Sequence, residues 1–217
     1  MNLFEFKGAK LGYNGRAVFS DLSFGIRRGE RVALVGPSGA GKSTLLAALY
    51  DHRPEGTALV PQDGALVKQL SVYHNVFMGR LHKHGSMYNL LNLLRPFPKP
   101  VREVTALLDR LDLRDKLFAP VGELSGGQQQ RTAVARALFH GGEVLLGDEP
   151  VSAVDGMQAR EVLEAINQAY ATVVLVMHDV RLALQFTTRI VGVRAGRIVV
   201  DRASAGLNPS DLEDLFR

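Results

Sequence analysis

The chain has 217 residues, of which 46% are hydrophobic and 22% are charged, and its formal net charge is +4 at pH 7. It contains no cysteine, which excludes disulfides and thiolate metal sites. No apolar run approaches the roughly 20 residues that a membrane-spanning helix needs, and the first residues lack a signal-peptide pattern, so we expect any work at a membrane to depend on docking.

The basic residues are spread along the chain, with no block of five or six like charges. A mild basic excess can attract phosphates, acidic lipids or nucleic acid. Their dispersal favours a solvated surface that includes phosphate-binding groups.

The first two predicted elements are strands of an antiparallel layer, at residues 3–7 and 17–26, where apolar residues partly alternate. Residues 12–15 form a Gly-Tyr-Asn-Gly cluster, which predicts a turn in a loop between them. Tyr13 in that loop has two interpretations. It is either a platform that stacks on a nucleotide base or a residue that packs beside a turn.

A glycine-rich loop at residues 36–44 follows a predicted buried strand, 31–35, and precedes a predicted helix, 45–50. Its glycines allow the backbone to turn several N–H groups inward toward a phosphate, and the helix N-terminus adds partial positive charge. Lys42 can reach the β- and γ-phosphates and the Ser43 hydroxyl can ligate Mg²⁺. The loop therefore predicts binding of a nucleoside triphosphate.

The next predicted strand, 57–61, ends at Gln62. An amide at a strand end of an α/β protein can ligate Mg²⁺ or position water. On spacing alone, solvent contact is the simpler interpretation of Gln62.

Residues 66–118 carry helical patterns at 72–81, 87–94 and 101–111, with Pro96, Pro98 and Pro100 punctuating the last gap. We interpret this region as a mostly helical insertion. The 87–94 stretch is very apolar, and core packing is favoured over a surface for a partner helix. His82 and His84 do not share a helical face, so we interpret them as surface histidines and not as metal ligands.

Two further strands are predicted to end in polar residues. The strand at 143–149 ends in Asp148 and Glu149, which can hold the Mg²⁺ shell and polarise an attacking water. The strand at 172–177 ends at His178, which can bond a γ-phosphate. A helix is predicted from about 157 to 169 between them.

The remaining predicted elements are a capped helix and the C-terminal segments. Ser125 is a good N-cap for a helix that continues through Leu138. A hairpin is predicted over residues 189–201, and a short tail helix after Asn208.

Together these motifs resemble the ATP-binding subunit of ABC transporters. The match comprises Walker A at 36–44, the Q-loop Gln62, the signature Leu-Ser-Gly-Gly-Gln at 124–128, the Walker B end at 148–149, the D-loop at 152–155 and the switch His178, all in the family's order. The resemblance implies an α/β P-loop NTPase fold, with a RecA-like parallel sheet, an antiparallel β layer and a helical subdomain. It implies one domain over 1–217, with a RecA-like lobe at about 1–65 and 141–217 and the helical subdomain at about 66–140.

The resemblance also implies the site. Glu149, His178 and Gln62 become the catalytic residues, and Ser43, Gln62 and Asp148 hold Mg²⁺. The residues expected to bind ATP are Tyr13, Gly36, Pro37, Ser38, Gly39, Ala40, Gly41, Lys42, Ser43 and Thr44, with Ser125, Gly126, Gly127 and Gln128 serving the ATP of a second subunit.

The implied function is ATP hydrolysis that powers a membrane transporter, most simply an importer. The implied partners are a transmembrane permease, a second copy in a head-to-tail dimer that sandwiches ATP, and, through the permease, a periplasmic or surface substrate-binding protein; nucleic acid is not expected. The resemblance also implies that the 87–94 stretch and the loop after Gln62 contact the permease, in contrast to the core packing that the pattern alone favours. The expected location is peripheral, on the cytoplasmic side of the membrane. The alternative is a soluble, non-transport ABC ATPase acting on nucleic acid or a macromolecular complex.

The chain departs from the family pattern after Walker A. Gln62 follows Lys42 by only 20 positions, about half the usual number, so we expect a smaller β layer. Val151 and Val154 replace the commoner residues around the D-loop. The 70–81 stretch is similar to ATPases of phosphonate importers, although this motif is too modest to assign a substrate.

Overall fold

The computed structural model describes residues 2–13 and 16–216. The strands of this part are β1 Asn2–Tyr13, β2 Arg16–Arg27, β3 Arg31–Val35, β4 Thr57–Val60, β5 Val144–Asp148, β6 Thr172–Val176, β7 Arg189–Arg194 and β8 Arg197–Ala203. The α-helices are α1 Lys42–His52, α2 Val72–Phe77, α3 Ser86–Leu94, α4 Pro98–Asp109, α5 Gly126–His140, α6 Gly156–Ala169 and α7 Val180–Phe186. Short 3₁₀ helices lie at Met78–Lys83, Arg114–Lys116, Val121–Glu123 and Pro209–Leu215.

The central sheet has the order β4-β5-β6-β3-β7-β8, in which only β8 is antiparallel to its neighbour. Every residue of β5 and β6 is buried, as expected for parallel strands covered on both faces. The carboxyl ends of β3, β4, β5 and β6 meet at one edge, where open α/β sheets bind ligands. This is the predicted α/β fold with a parallel sheet.

The antiparallel layer is small, as expected. β1 pairs with β2 in a two-stranded sheet that packs through Phe4, Phe19 and Ile26 against one face of the central sheet. After α1, only residues 53–56 precede β4. The short segment between Lys42 and Gln62 therefore adds no strand to this layer.

The predicted loop position of Tyr13 is wrong. The β1–β2 ladder continues to its end, and Tyr13 pairs with Arg16 as the last residue of β1. The side chain of Tyr13, together with Asn14 and Gly15, lies outside the described residues, so its predicted stacking role is untested.

The predicted core packing of residues 87–94 is wrong. In α3 the side chains of Met87, Leu90, Leu91, Leu93 and Leu94 are all exposed, from 43% at Leu93 to 75% at Leu94. The buried residue of α3 is Asn92, whose Oδ1 accepts hydrogen bonds from the Tyr73 hydroxyl and the Phe97 amide, both at 2.8 Å. A polar anchor therefore holds α3 to the core, and its apolar side chains face outward.

Two smaller predictions change at helix ends. Pro98 and Pro100 do not lie in the gap between α3 and α4 but in the first turn of α4. Proline is tolerated there because the first N–H groups of a helix have no partner within the helix. The tail segment is a 3₁₀ helix with Asn208 in a capping box. The predicted C-terminal hairpin is confirmed as β7 and β8, and β7 also extends the central sheet beside β3.

Candidate functional site

The glycine-rich loop connects β3 directly to α1. Gly36 has φ +143°, and a Cβ there would lie 2.1 Å from the Val193 carbonyl oxygen, so only glycine fits. The Lys42 ammonium donates hydrogen bonds of 2.8 Å to the carbonyls of Gly36 and Pro37. Burial lowers the Lys42 pKa, while the nearby carboxylates of Glu149 and Asp148 oppose that shift. A desolvated cation thus lies inside a loop of backbone groups.

A cavity of about 230 Å³ opens beside this loop. It brings together nine of the predicted site residues from the glycine-rich loop, the first turn of α1 and the segments that follow β4, β5 and β6. They are Ser38, Gly39, Gly41, Lys42, Ser43, Thr44, Gln62, Glu149 and His178. Gly36, Pro37, Ala40 and Asp148 do not line the cavity and lie behind it in the loop and at the end of β5.

Asp148 is buried at the end of β5, with 9% of its surface exposed. Burial raises the pKa of this carboxyl, and the charge of Glu149 raises it further, whereas a hydrogen bond with the Ser43 side chain lowers it. Within residues 2–13 and 16–216, Asp148 Oδ1 finds no hydrogen-bond partner. A buried carboxylate oxygen without a partner, next to a serine hydroxyl, fits a Mg²⁺ site that is completed by phosphate and water.

The side chains of Glu149 and His178 both line the cavity and are in direct contact with each other. His178 Nε2 lies 2.5 Å from Glu149 Oε1, and the two side chains come from the ends of adjacent strands β5 and β6. Glu149 has φ +56°, a left-handed conformation that is uncommon for a non-glycine residue. These neighbours can place a carboxylate and an imidazole at the reacting end of a bound triphosphate.

The predicted signature residues do not line this cavity. Ser125 caps α5, with Gln128 N donating to Ser125 Oγ at 3.3 Å and Ser125 N donating to Gln128 Oε1 at 3.0 Å. This capping box leaves Ser125 and Gly126 exposed at the helix N-terminus. The structure therefore separates these residues from the chain's own phosphate loop.

Two residues at the site were missed by the sequence analysis. Val18 of β2 lines the cavity, and Gln130 of α5 hydrogen bonds to the Glu149 carbonyl. Val18 carries no pattern beyond that of an ordinary strand, and Gln130 is the third member of a glutamine run. Only tertiary contacts distinguish them.

The parallel sheet, the glycine-rich loop with its buried lysine and the strand-end carboxylates define a P-loop nucleoside triphosphatase. A protein-family model described as "ABC transporter" matches residues 19–152. The chain belongs to the ABC transporter family and is an ATPase that binds and hydrolyses ATP to power transport through membrane-spanning partner subunits.

Similar curated proteins are found in several bacteria. The chain is 39% identical to "Phosphonates import ATP-binding protein PhnC 1" of Pseudomonas syringae pv. tomato, over 94% of this chain and 87% of that protein. It is 34% identical to the protein named PhnC of Lactobacillus gasseri, over 96% of this chain and 90% of that protein.

Solved structures share the fold. The dimeric, post-hydrolysis ATP-binding cassette MJ0796 bound to ADP and Pi superposes with a TM-score of 0.77 at 25% identity, covering 94% of this chain and 99% of that chain. A bacterial Atm1-family ABC exporter with ATP bound gives a TM-score of 0.76 at 25% identity, covering 92% of this chain and 38% of that chain. Because an exporter is among these neighbours, the fold alone does not distinguish import from export.

Among residues 2–13 and 16–216, neither a membrane-spanning helix nor a cluster of His, Cys, Asp or Glu side chains for a metal ion is found. In the described part of the chain, none of the helices is both long and apolar enough to cross a bilayer. Across the same residues, no three His, Cys, Asp or Glu side chains are grouped to hold a metal ion. The predicted surface position of His82 and His84 is confirmed, since both are exposed.

Proposed function

We propose that this chain is the ATPase subunit of an ABC importer whose cargo belongs to the phosphonates. The observation that carries this proposal is the sequence identity of 34–39% to import proteins of that name along nearly the whole chain. Exporter cassettes share the fold at lower identity. The alternative, a soluble ABC ATPase acting on nucleic acid, is not favoured by these relatives.

The proposed hydrolysis uses the residues around the cavity. The Lys42 ammonium is held in the loop by hydrogen bonds to the carbonyls of Gly36 and Pro37. When ATP binds, hydrogen bonds from this ammonium to the β- and γ-phosphates replace them. Glu149 orients the attacking water or accepts its proton, and His178 contacts the γ-phosphate beside it.

Mg²⁺ is proposed to bind at the bottom of the same cavity. Asp148, Ser43 and Gln62 offer a carboxylate, a hydroxyl and an amide oxygen, and Asp148 Oδ1 has no partner within the described chain. When bound, the ion neutralises charge on the phosphates. Ligation also offsets the unfavourable burial of the Asp148 charge.

A head-to-tail homodimer is proposed to complete the site. Ser125 and Gly126 are exposed at the capped N-terminus of α5 and do not line the chain's own cavity, which supports a role for these donors at the ATP of another subunit. In this proposal residues of about 1–65 and 141–217 form the RecA-like lobe, and about 66–140 form the helical subdomain that presents the signature.

The exposed side chains of α3 are proposed to contact the permease on the cytoplasmic face of the membrane. We call Met87, Leu90, Leu91, Leu93 and Leu94 the leucine surface; all five are exposed on one short helix. Contiguous apolar surface of this kind usually marks a contact with another protein or a membrane. Through the permease, a substrate-binding protein becomes a further partner.

The test is recovery of tagged Glu149→Gln protein with ATP from membranes of its native host. We expect an integral membrane protein to co-purify, and recovery from the soluble fraction alone would contradict the transporter role. A Leu90→Ser, Leu94→Ser version serves as the matched control, since it keeps the nucleotide site and alters only the leucine surface.

The cargo is tested with the complex of the wild-type chain and the same membrane partner, reconstituted in vesicles. Added substrate-binding protein and a phosphonate should stimulate ATP hydrolysis, whereas an equal concentration of a carboxylate analogue should not. Equal stimulation by both compounds would contradict the phosphonate assignment while leaving the importer role intact.

A further inference from the structure

Gln130 connects the signature helix to the end of β5. It lies in α5, five positions after the N-cap Ser125. Its amide Nε2 donates to the Glu149 carbonyl at 2.6 Å and to Ser152 Oγ at 3.0 Å, and its Oε1 accepts from Ala153 N at 2.8 Å. One half-buried side chain therefore bonds to three residues of the segment that follows Asp148.

The backbone of Glu149 is held from both sides. Its N–H donates to the Val176 carbonyl in β6 at 3.2 Å, which fixes it to the sheet. Its carbonyl accepts from Gln130 and, at 3.3 Å, from both Ser152 N and Ser152 Oγ. A non-glycine residue keeps a left-handed conformation only when its surroundings impose it, and these bonds impose it at Glu149.

The first turn of α5 lies directly on the same segment. A Cβ built on Gly127 would come within 2.7 Å of the Ala153 carbonyl oxygen. The helix that carries the signature thus contacts the backbone after Glu149 through both Gly127 and Gln130. A displacement of α5 would be transmitted to the Glu149 carbonyl by the shortest of these bonds.

We propose that Gln130 is a positioning residue for ATP hydrolysis: it holds the Glu149 backbone so that its carboxylate faces His178 and the phosphate-loop cavity. This inference rests on the proposed role of Glu149. It also links the signature helix, which serves the ATP of the second subunit, to the carboxylate that acts on the chain's own ATP.

A purely structural role for Gln130 predicts different kinetics. A bond that only fastens the helix to the sheet would affect stability and ATP binding and would lower hydrolysis equally with or without the Glu149 carboxylate. A positioning role predicts a loss in kcat that depends on that carboxylate, because residues that act as a unit give non-additive effects.

The experiment is a double-mutant cycle on the full chain, measuring ATP hydrolysis, KM for ATP and the thermal midpoint. We expect Gln130→Ala to lower kcat by about tenfold or more, since small misplacements of a reacting group are costly, with KM changed less than about threefold. In the Glu149→Gln background, the same substitution should change the single-turnover rate less than about twofold. Equal losses in both backgrounds, or a loss confined to KM, would overturn the proposal.

Two further variants keep the test decisive. Gln130→Glu retains the side-chain length and the acceptor for Ala153 N but removes the amide donor to the Glu149 carbonyl. It should therefore lose kcat as Gln130→Ala does, and it provides the test if the alanine variant fails to fold. Wild-type kcat in Gln130→Glu would refute the inference. Gln129→Ala is the matched control, because the Gln129 amide donates to the Leu124 carbonyl at 2.9 Å.

The cycle separates this inference from the proposed function. If Glu149→Gln alone retains near-normal hydrolysis, the proposed role of Glu149 fails. If Glu149→Gln abolishes turnover while Gln130→Ala remains active, only the role of Gln130 fails.

Discussion

Strand β5 and helix α3 are both short and largely apolar, yet the protein places them in opposite environments. Each residue of β5 is buried between two parallel neighbours. In α3 the leucine surface is exposed, and Asn92 provides the anchor to the core. Apolar composition therefore indicates burial only where the fold supplies neighbours on the same face.

This difference corresponds to two tasks. The buried strands form a rigid edge on which Asp148, Glu149 and His178 take fixed positions around the phosphate loop. The exposed helix contributes no residue to the cavity at that edge and offers an apolar surface that a partner can cover. Substitutions in the two regions should consequently affect different measurements.

The largest effect is expected at the end of β5. Glu149→Gln should lower kcat by about 100-fold to 1,000-fold, because a positioned base or water-orienting carboxylate contributes on that order. ATP affinity should change little, since the phosphate loop is untouched. Near-normal turnover with unchanged affinity would remove Glu149 from its proposed role.

Stability should separate the strand from the helix directly. Leu145→Ala, in β5, should lower the free energy of unfolding by about 2–5 kcal/mol, because it leaves a cavity in the core. Leu94→Ala, in α3, should change it by no more than about 0.5 kcal/mol. Denaturant unfolding of the pair measures both, and a similar loss in both variants would break the comparison.

Transport measurements should show the opposite ranking, with the larger effect for substitutions in α3. The double variant Leu90→Ser, Leu94→Ser should leave the thermal midpoint of the isolated protein nearly unchanged, since surface substitutions have small effects on stability. Its basal ATP hydrolysis should stay within about twofold of wild type. Transport by the assembled complex should fall sharply. Intact transport would show that the leucine surface does not contact the permease.

The smallest effect concerns the Asp148 charge. Because the folded-state pKa of this carboxyl is raised, the folded protein binds the proton more readily than the unfolded chain, and that stabilisation is lost as pH rises through the raised pKa. Above that raised pKa the ionised carboxyl therefore destabilises the nucleotide-free protein. Asp148→Asn should raise its Tm by a few degrees, given about 2–4 °C per kcal/mol in a domain of this size.

Mg²⁺ and ATP should raise the Tm of the wild type, and they should raise that of Asp148→Asn much less. Thermal unfolding with and without Mg²⁺ and ATP, followed at about pH 7, checks both signs. If nucleotide-free Asp148→Asn has a lower Tm than nucleotide-free wild type, the inferred destabilisation by the buried Asp148 charge is contradicted.

Much of the fold was predictable because its signals are local. The strand, glycine-rich loop and helix at 31–50 follow from apolar periodicity and glycine placement, and the N-cap Ser125 from its side-chain chemistry. The order of the motifs along the chain was sufficient to identify the family and to predict most of the residues that line the cavity. Tyr13 was misplaced because a turn signal cannot fix where a strand ladder ends.

The sequence by itself determined which segments become strands and helices and which side chains have the chemistry for phosphate, metal and water. Only the tertiary structure decided that the order β4-β5-β6-β3 brings Gln62, Glu149 and His178 around one cavity. It also decided that Gln130 holds the left-handed Glu149 and that α3 faces outward on a buried asparagine. The physical reason is range: propensity, periodicity and capping act within a few residues, whereas strand order, helix docking and these hydrogen bonds join positions far apart in the chain.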